Sequence, residues 1–85
     1  MRFYAIDVVA HELDVHPSSL RRWEENGLIT PERATMGKTT LRIYDENTMR
    51  LLRQAKAFMD TGITVKDAFG RARDQIEHEE EQHHD

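Results

Sequence analysis

The run His16-Pro17-Ser18-Ser19-Leu20-Arg21-Arg22-Trp23-Glu24-Glu25-Asn26-Gly27 decides how this chain folds. Proline is preset for the first helical position and glycine for the left-handed residue that ends a helix, so a helix is predicted from Pro17 to Asn26. Leu20 and Trp23 share one face of it, and Leu28 beyond the glycine supplies the apolar contact that accompanies such a stop. Val15 can staple onto Leu20 across the helix start. Arg21 and Arg22 fall on the surface that Leu20 and Trp23 leave free. Upstream, Ile6, Val9, Ala10 and Leu13 recur at i, i+3, i+4 and i+7, the stripe of an amphipathic helix. Asp14 tolerates the turn between the two. Helix, short turn, helix and glycine stop within residues 5–27 make a helix-turn-helix. A turn of that length makes the helices cross, which exposes one face of the second.

Downstream, residues 32–36 are polar and extended, Gly37-Lys38-Thr39 is a turn, and Thr40-Leu41-Arg42-Ile43-Tyr44 alternates with period two. Leu41 and Ile43 fall on one face, Thr40, Arg42 and Tyr44 on the other. Such a hairpin is marginal alone and must lean on helices, so it reads as a wing. Asp45 is an N-cap, with Tyr44 stapled onto Met49, for a third helix over 46–61 that buries Leu52, Ala55 and Met59. Gly62 stops it. Thr64 caps a fourth helix, with Asp67 as a capping-box-like partner and Val65, Ala68, Phe69, Ala72 and Ile76 as its stripe. The expected fold is mainly α with a small β-hairpin wing: a winged helix-turn-helix of about four helices. Residues 1–76 form the domain, and 77–85, without one apolar side chain, form an acidic tail expected to fray.

With 85 residues the chain is one small domain with a thin core, which excludes a cleft-bearing multidomain enzyme. It has no cysteine, hence no disulfide or thiolate metal site, and no apolar run of the ~18 residues a membrane span needs. Its start does not resemble a signal peptide, so a cytoplasmic location is expected. The net charge of −4 is unevenly spread: residues 74–85 carry six acidic and no basic groups, whereas the window 16–56 carries eight basic and five acidic. The deficit sits in the tail, and a modest basic face survives.

The spaced motifs resemble the DNA-binding domain of the MerR family of bacterial transcription regulators. Residues Tyr4 to Ala10 look like its opening helix, and Val15 to Glu24 match its recognition-helix pattern of leucine-arginine followed by aromatic and acidic positions. Gly27-Leu28-Ile29-Thr30-Pro31-Glu32-Arg33 matches its exit into the wing, and Arg42-Ile43-Tyr44-Asp45 the pattern that closes the wing. Leu51-Leu52 and then Thr61 to Val65 match the helix pair that follows. The likeness covers about residues 4–76, and the His-Pro helix start resembles the heat-shock-repressor branch. Trp23 stands where most members have tyrosine, Arg22 where a second tyrosine is frequent, and Asp14 where glycine is common. The family's long dimerisation helix and effector-sensing domain have no counterpart within these 85 residues.

The resemblance implies double-stranded DNA as partner, bound by a homodimer or a cooperative assembly, with no membrane partner and a nucleoid-associated location. Arg21 and Arg22 are the leading DNA contacts, since a major groove about 12 Å wide admits a helix and arginine reads guanine bidentately. Ser18 and Ser19 lie at the helix N-terminus, where amides favour phosphate, although plain capping explains them too. His16 reads as a cap. Trp23 packs in the core and offers its indole N–H to a phosphate. Arg33, Lys38, Thr39 and Arg42 line the wing and reach the flanking backbone. Arg50, Arg53 and Lys56 are better read as a solvated helix face. His78, His83 and His84 sit in the tail, which cannot hold tetrahedral geometry, so no metal and no cofactor is expected. Ser18 and Ser19 near His16 are explained by helix-start chemistry, and the chain is not expected to be an enzyme. Two other readings fit the same motifs: an excisionase-like architectural DNA-binding protein, and a protein-interaction adaptor using the winged domain.

Overall fold

The computed structural model describes residues 2–82, in the order β1 (Phe3–Ala5), α1 (Ile6–Leu13), α2 (Pro17–Glu25), β2 (Glu32–Met36), β3 (Thr39–Asp45), α3 (Glu46–Asp60) and α4 (Val65–Gln82). The chain is mainly helical and carries a small antiparallel sheet, the winged helix-turn-helix expected from the motifs. It divides into two compact units, and the division falls within α3, after Met49.

In the first unit, α1 ends on Asp14, which takes a left-handed conformation (φ 55°), and the Val15 N–H donates to the Ala10 carbonyl at 3.0 Å. Helix α2 ends the same way, with Gly27 at φ 75° and the Leu28 N–H donating to the Trp23 carbonyl at 2.9 Å. This wrap satisfies helix carbonyls that would otherwise lack partners. Val9, Ala10, Leu13, Leu20, Trp23, Ile29, Tyr44 and Met49 are the buried apolar side chains of this unit. The periodic positions of both helices are therefore inside, apart from Ile6, which is half-buried.

The sheet departs from the expected hairpin in one way. It has three strands in the order β1-β3-β2, because Phe3, together with Tyr4 and Ala5 of the stretch likened to the opening helix, pairs with β3: Phe3 with Asp45, Tyr4 with Tyr44 and Ala5 with Ile43. The Tyr4 hydroxyl donates to Glu46 Oε1 at 2.6 Å and ties β1 to the start of α3. Three residues are too few to show a period, so the strand is set by its partner. The packing also decides between the two faces of β3. Tyr44 is wholly buried while Leu41 is 43% exposed, so the tyrosine-bearing face points inward and the Leu41 face outward. An alternating pattern has two faces and does not say which one the helices cover; the larger burial offered by tyrosine and a charged partner for Arg42 decide it.

Asp45 Oδ1 accepts from the Thr48 N–H at 2.8 Å, the expected N-cap of α3, and this backbone hydrogen bond holds the Asp45 carboxyl below its ordinary range. In the second unit, α3 stops at Gly62, whose φ of 98° lets its N–H donate to the Met59 carbonyl at 2.9 Å. The Thr64 side chain accepts from the Asp67 N–H at 3.4 Å. Leu52, Ala55, Ala68, Phe69 and Ala72 are buried, while Met59 and Ile76 are half-buried. Helix α4 continues to Gln82, so residues 77–82, expected to fray, are helical. Glutamate is a good helix former, and Arg50 reaches Glu79 at 2.6 Å and Glu80 at 3.6 Å, offsetting acidic charge at a helix C-terminus. His83 and His84, with the end of the expected tail, lie outside the described residues. None of the described helices is long and apolar enough to cross a membrane.

Candidate nucleic-acid interface

Helix α2 begins on His16, whose Nδ1 accepts from the Ser18 N–H at 3.1 Å and lies 2.8 Å from the Ser18 hydroxyl. A ring nitrogen thus does the work usually left to a serine or aspartate oxygen. Ser18 is exposed and Ser19 half-buried, with the Ser19 N–H donating to the His16 carbonyl at 2.9 Å. The helix then turns Leu20 and Trp23 inward, at 0% and 6% exposure, and leaves Arg21 and Arg22 on the surface. Neither arginine has an ion pair among the described residues. Trp23 therefore supports the helix from behind rather than lining its exposed face.

The wing supplies the second group of predicted residues, in two different situations. Lys38 and Thr39, at the tip beside Gly37 (φ 63°), are exposed, and Lys38 has no ion pair among the described residues. Arg33 and Arg42, directly paired across β2 and β3, turn toward α2 instead. Arg42 Nε donates to Glu24 Oε1 and Arg33 Nη2 to Glu24 Oε2, both at 2.6 Å. The hydrogen bond to Glu24 holds the Arg42 guanidinium above its already high ordinary value. Burial pushes the neighbouring Tyr44 phenol up as well, and the Glu24 carboxylate adds to that shift. The wing arginines, expected to line the wing and reach the flanking backbone, are thus shared with the helix. Glu24, whose nearest candidate partners in sequence are Arg21 and Arg22, pairs with the wing arginines instead. Its acidic position in the recognition-helix pattern was the available signal, but nothing local shows that two cations 9 and 18 residues away converge on it.

The cations of α3 are placed differently. Arg50 is held by Glu79 and Glu80, and Lys56 by Asp60 at 2.6 Å one helical turn on. A shallow groove of about 460 Å³, lined by Gln54, Ala57, Phe58, Thr61 and Gln75, contains no titratable side chain. No group of three or more metal-ligating side chains occurs among the described residues.

The comparisons agree with this architecture. Residues 4–72 match the family model described as the MerR HTH family regulatory protein. A MerR-family transcriptional regulator from Bacillus cereus is similar in structure, with a TM-score of 0.68 at 19% identity, covering 95% of this chain and 72% of that one. HiNmlR, a MerR-family regulator lacking the sensor domain and solved bound to promoter DNA, superposes with a TM-score of 0.66 at 21% identity, covering 88% of this chain. The chain spans only 55% of that protein's length. No curated protein matches the chain. At these identities the structural likenesses speak for the fold, and the family match over residues 4–72 carries the assignment: the chain belongs to the MerR family of helix-turn-helix regulatory proteins.

Proposed function

We propose that this protein is a sequence-specific, double-stranded DNA-binding transcription regulator that places α2 in the major groove and the wing on the flanking backbone. The observation that carries this is the split of α2: Leu20 and Trp23 are buried on one side, while Arg21 and Arg22 stand exposed and without ion pairs among the described residues on the other. An exposed helix bearing adjacent arginines fits a groove about 12 Å wide, where guanine presents two acceptors to one guanidinium. Ser18 and Ser19 at the start of α2 reach the adjacent phosphates, and Lys38 and Thr39 at the wing tip grip the neighbouring backbone. Arg33 and Arg42 add the donors that Glu24 does not occupy. HiNmlR, which shares the fold and lacks a sensor domain, is itself bound to promoter DNA.

One module of this kind buries roughly 600–1,000 Å² on DNA, which limits affinity, so tight binding calls for two copies on one site. The protein acts on chromosomal DNA in the cytoplasm, needs no cofactor or metal, and performs no catalysis. The test begins by incubating the chain with a random pool of duplexes and sequencing what it retains. A recurrent motif with two related half-sites is expected. Its affinity should fall about a hundredfold between roughly 50 and 200 mM salt if four phosphates are engaged. A pool that stays random, or an affinity indifferent to salt, overturns the reading. Enrichment of tandem direct repeats would favour an architectural role instead.

A further inference from the structure

Arg33 and Arg42 are direct cross-strand partners, an arrangement in which two like charges repel. The Glu24 carboxylate lies between them, giving one oxygen to each guanidinium at 2.6 Å. Glu24 is only 19% exposed and Arg42 29%, so this trio is partly shielded from water, whereas Arg33 at 46% is more open. One carboxylate thus ties three elements together: α2 through Glu24, β2 through Arg33 and β3 through Arg42. Each guanidinium has five N–H donors, and each is bonded to Glu24 through a single nitrogen, which leaves the rest of each fork directed by the clamp.

We infer that Glu24 is a positioning residue that sets the wing against the recognition helix, so that both meet one duplex at a fixed spacing. The inference rests on the DNA-binding reading above and deepens it. Elementary electrostatics makes the opposite prediction, because a carboxylate beside a phosphate-binding surface repels DNA and its removal should help every duplex equally. Positioning instead predicts that specific and nonspecific binding separate. Freed of Glu24, Arg33 and Arg42 gain charge for any phosphate but lose the fixed geometry that a particular site requires.

The full chain is compared with Glu24→Gln and Glu24→Asp, all followed by circular dichroism and assayed below their melting transitions. The probes are the tightest duplex that the unaltered chain enriches from the random pool and a scrambled duplex of the same composition. In Glu24→Gln the affinity for the selected duplex should fall about fivefold to tenfold, while that for the scrambled duplex holds or rises. Glu24→Asp keeps the charge but is one methylene shorter, which draws the carboxylate back toward α2 and away from both arginines, so its selectivity should fall too. Equal gains on both duplexes would make Glu24 merely a repulsive charge, and equal losses would make it merely a structural support. An aspartate variant with unaltered selectivity would also overturn the inference. The clamp is checked without DNA through the Arg42 Nε–H resonance, which should be protected in the unaltered chain and exchange rapidly in Glu24→Gln. An unprotected resonance in the unaltered chain overturns the clamp itself, whereas a chain that enriches no duplex overturns the DNA reading.

Discussion

Arg21 and Arg22 on α2 and Lys38 at the wing tip are exposed with no ion pair among the described residues, whereas Arg50 and Lys56 on α3 are each held by carboxylates. The local sequence around the two groups is similarly basic, since the window 16–56 that contains both carries eight cations against five acids. What separates them is where the acids stand. Asp60 follows Lys56 by one helical turn, and Glu79 and Glu80 come from the next helix, so acids of α3 and α4 neutralise these two cations. On α2, Glu24 is turned toward the wing, and its neighbour Glu25 forms no ion pair with Arg21 or Arg22 among the described residues. A count of basic residues therefore says little about a phosphate-binding face until the placement of the carboxylates is known.

The largest effect that would break this contrast is expected at α2. Arg22→Ala should weaken binding to a selected duplex by about 1–3 kcal/mol and relax base preference at one position, if the guanidinium is bidentate to a base. Arg50→Ala, measured in the same anisotropy titration, should change affinity by less than about threefold, because that cation is already satisfied by Glu79 and Glu80. Comparable losses in the two variants would show that the paired surface is as much a DNA contact as the free one.

A middle-sized effect sharpens the comparison between carboxylates. Asp45 caps a backbone N–H, whereas Glu79 pairs with a half-buried arginine. Asp45→Ala should cost about 1 kcal/mol in thermal or urea unfolding, and Glu79→Ala about half of that or less. Because the folded state lowers the Asp45 carboxyl below its ordinary value, its contribution is complete above the usual carboxylate range. It is lost as the pH falls through the lowered folded value. Urea midpoints at stepped pH should therefore converge for the Asp45→Ala and unaltered chains in strong acid. Parallel curves down to the lowest pH would mean that the cap is not linked to ionisation.

The smallest effect concerns the residue behind the wing. The Tyr44 hydroxyl is buried and has no hydrogen-bond partner among the described residues, so Tyr44→Phe removes a desolvated polar atom and keeps the ring. Stability should be unchanged or higher by up to about 1 kcal/mol, with DNA binding unaffected. A loss of more than about 1 kcal/mol in the unfolding midpoint would show that the hydroxyl does find a partner in solution.

The amino-acid order alone settles what depends on near neighbours. The stripes of α1 and α2, the His16 and Asp45 caps, the left-handed stops at Asp14, Gly27 and Gly62, and the exposure of Arg21 and Arg22 all follow from interactions within about five residues. Those features suffice for the helix-turn-helix and for its arginine face. Tertiary packing decided the rest: that β1 joins the sheet, that Tyr44 rather than Leu41 faces inward, that α4 runs on to Gln82, and that Glu24 draws Arg33 and Arg42 back toward α2. Each of these is a choice between locally equivalent states, in which strand, strand face, frayed end or free cation differs by little until a partner distant in sequence arrives. Pairing, burial and charge compensation then act at short distance, and only the folded chain brings those partners within reach.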